Sequence, residues 1–287
     1  MSDDELEFDP GEDEPVEPDW DEEAPRAEFV HWPRDPQLDP AKAELIRLIE
    51  EDRTRVFYGR QIEVILEDKY FHWITHKALK ELTTDQVIST ERRETASGSP
   101  LRLYWSKRNR YPKRAAAAIV TQVEKHSNPE MTRAIGHHAE VLFGIAAGRE
   151  GFRLSGPSVR SYQGRVWIKT DHNLDWIFEK DGIGWGVEIK NTWAYIDREE
   201  MEIKINLSAF LGLKPLFIVR FSSKSYVELV RQAGGFSLLY KTQLFPPGHS
   251  AAVERLKELG FPVATCQAVP DDNFRRFVKY HDRLVRR

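Results

Sequence analysis

The sequence of 287 residues is short of cysteine and of long apolar runs. Its single cysteine, Cys266, excludes an intrachain disulfide, which favours a reducing, cytoplasmic setting. No apolar stretch approaches the roughly 20 residues that span a bilayer, and no basic segment followed by an apolar run opens the chain. We therefore expect a protein without a membrane partner, without a secretion signal and with a cytoplasmic location.

Basic residues are missing from the first 25 positions, which hold 13 Asp and Glu and no Lys or Arg. The other 262 residues carry 42 bases against 46 − 13 = 33 acids, so the net charge of −4 divides into −13 and +9. Such an acidic, proline-containing segment is typical of disorder. We predict a disordered tail and linker over residues 1–40, which either solubilises the protein or competes with nucleic acid for its basic remainder.

The segment from residue 41 to residue 110 has the element order of a small reader domain. Its apolar spacing predicts three helices and then two short strands, at about 41–53, 59–70, 72–83, 87–90 and 101–105. The polar run Ser97-Gly98-Ser99-Pro100 supplies a turn between the two strands. Three helices followed by a hairpin resemble a winged helix-turn-helix domain, and that resemblance implies DNA as a partner.

Basic side chains are dense in and after the proposed wing, and aromatic residues interleave with them. Between Arg92 and Arg114 there are eight bases against one acid, Glu94. Such a surface is suited to phosphate contacts, whereas the alternative is a basic face that is merely solvated. We predict nucleic-acid contacts for residues of the third helix and of the basic stretch: Thr75, His76, Lys77, Lys80, Arg92, Arg93, Arg102, Lys107, Arg108 and Arg110.

The remainder of the chain, residues 111–287, begins with helical patterns and then alternates. Its first two helices are predicted at about 112–126 and 129–148. Strands are predicted at about 152–159, 165–169, 175–178, 185–190, 216–221, 236–244 and 263–268, and further helices at about 199–211, 223–233, 250–259 and 270–285. Strands followed by alternating strands and helices predict an α/β sheet sandwich.

A β-hairpin is predicted between residues 174 and 190, with Lys180-Asp181-Gly182 as its turn. Side chains alternate across a strand, so Glu188 and Lys190 share one face, opposite the apolar residues of the same strand. Pairing of the two strands is expected to bring Asp175 beside Glu188. The hairpin would then carry two acids and a lysine on a single face.

These charged residues suggest a cation site. Gly184 and Gly186 lie on the same strand face and are expected to leave open space beside Glu188. Two neighbouring carboxylates, Asp175 and Glu188, repel each other, and a hard divalent cation such as Mg²⁺ removes that cost because it prefers oxygen ligands. The ion polarises phosphate oxygen and activates water, while Lys190 is placed to orient or deprotonate the water or to neutralise phosphate charge. The alternative is an ordinary solvated Glu–Lys pair.

Asp175 followed by Glu188-Ile189-Lys190 resembles the PD-(D/E)XK nuclease superfamily, with Leu174 in place of the proline. The resemblance covers about residues 130–245. It implies an α/β, restriction-endonuclease-like fold with a mixed central sheet flanked by helices. It also implies metal ligation by Asp175, Glu188 and the carbonyl of Ile189, and catalysis by Asp175, Glu188 and Lys190.

A fourth acid is implied by the same resemblance, since these nucleases often add one from the helix before the sheet. Glu140 fits this position as a metal ligand. Gly136 and Gly144 lie four residues to either side of it, which is expected to leave open space around its carboxylate.

Taken together, these patterns predict a restriction-like DNA endonuclease that depends on Mg²⁺, with Mn²⁺ as a substitute. Cutting both strands of a duplex needs two active sites, so we expect a homodimer. Two other functions stay open at this stage. One is a DNA-binding regulator on a catalytically silent nuclease fold, and the other is a nuclease directed at RNA.

Overall fold

The computed structural model describes residues 34–269 and 271–286 of the chain. It divides into two compact units. The first comprises the described residues up to Gly59 together with His76–Thr121, and the second comprises Arg60–Thr75 together with the described residues from Gln122 onward. Most of the predicted acidic tail and linker, residues 1–33, lies outside the described residues, so its disorder stays a prediction.

The described residues form helices and strands at nearly all of the predicted places. In chain order they are α1 (Leu38–Glu51), β1 (Phe57–Tyr58), α2 (Gly59–Leu66), α3 (His72–Thr84), β2 (Ile88–Glu94), β3 (Pro100–Ser106), α4 (Pro112–His126), α5 (Pro129–Arg149), β4 (Arg153–Ser155), β5 (Ser161–Tyr162), β6 (Arg165–Val166), β7 (Trp176–Lys180), β8 (Ile183–Lys190), α6 (Arg198–Leu211), β9 (Lys214–Val219), α7 (Lys224–Gln232), β10 (Phe236–Leu239), β11 (Gln243–Phe245), α8 (Ser250–Glu258), β12 (Val263–Thr265) and α9 (Asp271–Val285). None of these helices is long and apolar enough to cross a membrane.

The first unit contains an antiparallel sheet of three strands in the order β1-β3-β2. Strands β2 and β3 form the predicted hairpin, in which Arg92 lies opposite Arg102. Helix α1 buries Leu45 and Ile49, as their spacing of four residues predicts. Strand β1 was not predicted, because two residues are too few for an alternation to be recognised in the sequence.

The second unit is built on a sheet of five strands in the order β10-β9-β8-β7-β4. Strands β4, β7 and β8 pair antiparallel, whereas β8, β9 and β10 pair parallel, so the sheet is mixed. One face packs against α5 and α9, where Trp185 and Val187 of β8 meet Phe143 and Phe277. The other face carries α6 and α7. A mixed α/β architecture with helices on both faces of the sheet is thereby established.

One predicted strand, residues 236–244, is divided in two. Strand β10 pairs with β9, whereas β11 pairs in parallel with β12 in a separate sheet of two strands. The backbone leaves the strand conformation at Lys241, whose φ is 62°. Apolar residues lie before Lys241 and after Gln243, with no proline or glycine between them, so the sequence pattern predicts a single strand.

Candidate active site

The hairpin of β7 and β8 brings Asp175 to the end of β8. Trp176 lies opposite Val187, and the backbone N–H of Asp175 donates to the carbonyl of Val187 at 3.0 Å. The carboxylate of Asp175 turns back onto β8, where its Oδ2 accepts a hydrogen bond of 2.6 Å from the N–H of Ile189. Asp175 is therefore fixed beside Glu188 by backbone contacts, as the alternation of the two strands predicts.

Glu188 and Lys190 belong to a chain of four alternating charges. Lys190 Nζ lies 3.3 Å from Glu188 Oε1 and 2.9 Å from Glu200 Oε1. On the other side, Lys204 Nζ donates to Glu188 Oε2 at 2.7 Å. Strand β8 thus contributes Glu188 and Lys190, and α6 contributes Glu200 and Lys204. Both carboxylates of this chain form ion pairs with lysine ammonium groups.

Two members of this chain, Glu200 and Lys204, were not predicted as site residues. Asp197 caps the start of α6 by accepting from the N–H of Glu199 at 2.7 Å, which places Glu200 in the first turn. Lys204 follows one turn later on the same helix face. The sequence does contain a signal for Lys204. This charged residue occupies a position in the apolar stripe of α6, between Met201 and the later apolar residues, and that stripe is buried.

Asp175 and Glu140 add negative charge beyond this balanced chain. Burial, and then the negative charges of Glu188 and Glu140, raise the pKa of Asp175 to about 7, against the opposing effects of the Ile189 N–H and Lys204. The electrostatic effect of Glu140 on Asp175 means that this acid of α5 lies within interaction range. Four carboxylates against two lysines leave an excess of 4 − 2 = 2 negative charges when all are ionised.

Lys190 is more accessible to solvent than Glu188, with which it forms an ion pair. Its side chain is 35% exposed, whereas that of Glu188 is 3% exposed. Burial opposes the charge of Lys190, but the attraction of Glu188 and Glu200 outweighs burial and raises the pKa of its ammonium group. Lys190 is therefore a stable cation at the open side of the cluster.

The donor atoms of the site suit a hard cation in their chemistry, because Mg²⁺ prefers oxygen ligands such as carboxylates. Among the residues that the structure describes, however, no three His, Cys, Asp or Glu side chains are arranged as a metal-holding group. Both oxygens of Glu188 face lysines instead. Ile189 is buried and its N–H is used by Asp175, so a ligand role for its carbonyl stays a prediction.

The glycines of β8 do not leave the open space that the sequence suggested. A Cβ at Gly186 would lie 2.6 Å from Ser208 Oγ, and one at Gly184 would lie 2.6 Å from Leu213 Cδ2. Helix α6 and the residues after it fill this face, and the glycines permit their close approach. Near Glu140 the two glycines differ, since a Cβ at Gly136 would meet nothing within 4 Å whereas Gly144 packs on Leu154.

This difference between the glycines yields a prediction for stability. Gly186→Ala is expected to destabilise the protein by about 1–2 kcal/mol, because Ser208 is fully buried and cannot move aside. Gly136→Ala, the matched control within α5, is expected to stabilise it by about 0.5–1 kcal/mol through helix propensity. Urea unfolding of both variants measures the two effects. Equal stability of the two variants would contradict the packing of α6 against β8.

Asn191, directly after the lysine, holds the end of β8 in place. Its amide donates to the carbonyls of Ile135 and Leu244, at 2.9 and 2.7 Å, and its Oδ1 accepts from the N–H of Leu244 at 2.9 Å. The hydroxyl of Tyr240 donates to the carbonyl of Lys190 at 2.9 Å. These buried bonds tie β8 to α5 and β11, so the backbone that carries Lys190 is rigidly placed.

The residues predicted to contact nucleic acid are distributed as follows. Thr75 is fully buried, so the prediction that its side chain reaches a groove is wrong; its helix turns that position inward. Arg93 is half-buried and pairs with Glu91 at 2.9 Å. The others lie on the surface: His76, Lys77, Lys80, Arg92, Arg102, Lys107, Arg108 and Arg110.

Within the first unit, Arg92 and Arg102 occupy directly opposite positions on the hairpin. The basic residues after β3 begin at Lys107. Among them, Arg108 forms an ion pair in which its Nη1 lies 3.8 Å from Glu50 Oε2. These exposed bases lie on the surface of the first unit, and a phosphate-contacting role for them stays a prediction.

Comparisons with protein-family models, with curated proteins and with solved structures found no match to this chain.

Proposed function

We propose that this protein is a divalent-metal-dependent nuclease that hydrolyses phosphodiester bonds. The observation that carries the proposal is the cluster at the end of β8, in which Asp175, Glu188 and Lys190 lie within one network of hydrogen bonds and ion pairs. The excess of two negative charges around them suits one divalent cation. An accessible lysine beside buried carboxylates suits a substrate that is itself an anion.

Asp175 and Glu188 would hold the cation, with Glu140 and the carbonyl of Ile189 as further ligands. When bound, Mg²⁺ or Mn²⁺ supplies a Lewis acid and a water of lowered pKa. Lys190 stands at the exposed side of the cluster, where it donates to a phosphate oxygen and offsets the charge that develops there. Because its ammonium group is held charged, Lys190 serves as a charge stabiliser rather than as a base.

The substrate we propose is duplex DNA. In support, the second unit has a mixed sheet in which an antiparallel hairpin precedes a parallel strand, an arrangement consistent with a restriction-endonuclease-like fold. The first unit contains the hairpin of β2 and β3, on which exposed Arg92 and Arg102 lie opposite each other, an arrangement consistent with a winged-helix reader. A homodimer would supply the second active site that a double-strand cut requires.

A second candidate is a DNA-binding regulator on a silent nuclease fold. It is favoured by one observation, the pairing of both Glu188 oxygens with lysines. In such a protein the lysines would replace the cation permanently. The two candidates differ in a single measurable property, which is turnover in the presence of metal.

The proposal is tested by incubating the purified chain with duplex DNA, single-stranded DNA, branched DNA and RNA. We expect cleavage of duplex DNA with Mg²⁺ or Mn²⁺ and none with a chelator, since the carboxylates need the cation to activate water. An Asp175→Ala preparation controls for contaminating nucleases. Binding of DNA without cleavage under every condition would favour the silent regulator, and cleavage confined to RNA would replace DNA as the substrate.

A further inference from the structure

Lys204 is a buried lysine aimed at the centre of the candidate site. Its side chain is 7% exposed, and its ammonium group donates to Glu188 Oε2 at 2.7 Å and to the carbonyl of Asn173. A buried ammonium group is costly unless it is paired and hydrogen-bonded. Here the charge is paired with Glu188 of the site, and the second hydrogen bond goes to a carbonyl two residues before Asp175.

The buried carboxylate of Glu188 likewise requires a positively charged partner. It is 2% exposed, and Lys190 reaches only its Oε1, at 3.3 Å. Lys204 takes the other oxygen, Oε2, which faces α6. A divalent cation held by Asp175 and Glu188 would compete for the same carboxylate and would be repelled by the ammonium charge beside it.

We propose that Lys204 is a positioning residue that holds Glu188 in place when no divalent cation is bound and that weakens the binding of that cation. This inference rests on the cation site of the proposed function. Lys204 keeps the carboxylate buried and oriented in the metal-free protein. When a cation binds, the ion takes over the neutralisation of Glu188, and the bond of Lys204 to the carbonyl of Asn173 remains as its anchor.

Helix α6 is built to keep the ammonium group at this position. Met201, Ser208 and Leu211 share the buried stripe of this helix with Lys204. Ser208 donates to the carbonyl of Lys204 at 2.9 Å and fills the space above Gly186. The side chain of Lys204 is therefore almost wholly buried, with its ammonium group beside the acidic cluster.

The test uses Mn²⁺ alone, without nucleic acid, at about pH 8, where carboxylates are ionised. Lys204→Gln removes the charge, Lys204→Arg keeps it, and Lys257→Gln is the matched control. Lys257 also pairs with a glutamate on a helix, Glu254 at 2.9 Å, but on the exposed surface of α8. Two quantities are measured for each protein, the melting temperature in chelator and the affinity for Mn²⁺.

Lys204→Gln is expected to melt about 5 °C or more below the wild type in chelator, because Glu188 loses a buried partner. It is expected to bind Mn²⁺ about tenfold more tightly, because the repelling charge is gone. Saturating Mn²⁺ should therefore raise its melting temperature more than that of the wild type. Lys204→Arg should bind Mn²⁺ within about threefold of the wild type, and Lys257→Gln should change neither quantity.

An unchanged or weaker Mn²⁺ affinity of Lys204→Gln would overturn the proposal and leave Lys204 as a purely structural residue. If this variant does not fold in chelator, recovery of its native circular dichroism with Mn²⁺ supports the proposal, and failure to recover opposes it. The proposed nuclease function is tested separately. It fails if the wild type binds Mn²⁺ but does not cleave nucleic acid. Absence of Mn²⁺ binding by both proteins would remove the shared cation site.

Discussion

Replacement of Lys190 by methionine is expected to lower the rate of metal-dependent DNA cleavage by about 10²–10³-fold, the usual effect of removing one group that stabilises transition-state charge. Lys190 is the accessible cation of the site, with a side chain that is 35% exposed, and two carboxylates keep it protonated. Methionine retains most of the length and packing of the side chain and removes its charge together with its hydrogen-bond donors. The loss therefore reports on the interaction with phosphate.

Single-turnover cleavage with saturating Mg²⁺ measures this effect, and Mn²⁺ binding without DNA is the companion measurement. Removing a positive charge beside Glu188 and Glu200 is expected to leave Mn²⁺ affinity unchanged or higher. Lys190→Arg, which keeps the charge, should retain more activity than Lys190→Met. Cleavage by Lys190→Met at the wild-type rate would exclude Lys190 from the chemistry.

Asp175→Asn is expected to abolish cleavage and, at the same time, to stabilise the metal-free protein at alkaline pH by about 2 kcal/mol. Burial and the charges of Glu188 and Glu140 raise the pKa of Asp175 in the folded state to about 7, from an ordinary value of 3.8. Ionised Asp175 is therefore a source of instability when no cation is present. Asparagine can still accept the hydrogen bond from Ile189 but cannot ionise.

The sign of the pH dependence follows from the raised pKa. Between about pH 4 and pH 7 the folded wild type keeps a proton on Asp175 that the unfolded chain releases, so wild-type stability falls as pH rises through this window. Below the window both states are protonated, and above it the penalty is constant. Asp175→Asn lacks this dependence, so its advantage is absent near pH 4 and complete above about pH 7.

Urea unfolding in chelator at two pH values, on either side of the pKa of Asp175, checks this prediction. Asp171→Asn is the matched control, because the side chain of Asp171 is fully exposed and its substitution is expected to have little effect at either pH. If the free energy of unfolding changes with pH in the same way for the wild type and for Asp175→Asn, Asp175 is not buried among like charges.

The hairpin and the helices before it could be predicted because their information is local. Periods of two and of about 3.6 residues identify β8 and α5, and the side chain of Asn128 caps the start of α5. The alternation along β8 places Glu188 and Lys190 on one face, and the short turn at Asp181-Gly182 sets the pairing that brings in Asp175. These contacts depend on residues close together in the chain.

The partners supplied by α6 could not be predicted in the same way. Strand alternation separates the two faces of β8, but it does not say which helix covers the face that carries Glu188. Glu200 and Lys204 meet that face only because the connection from β8 to the parallel strand β9 passes over it. For the same reason Gly184 and Gly186 suggested open space, although α6 and Leu213 occupy it.

The short separation between partners in the acidic cluster has a consequence for folding. The bond from Ile189 to Asp175 joins residues 14 positions apart, and the bond from Lys204 to Glu188 joins residues 16 positions apart. Closing such short loops costs little chain entropy, and contacts of this kind permit rapid formation. Lengthening the connection between β9 and β10 leaves both loops unchanged. These two contacts therefore lie within one contiguous segment of the chain, and insertions elsewhere in the second unit add nothing to the cost of closing them.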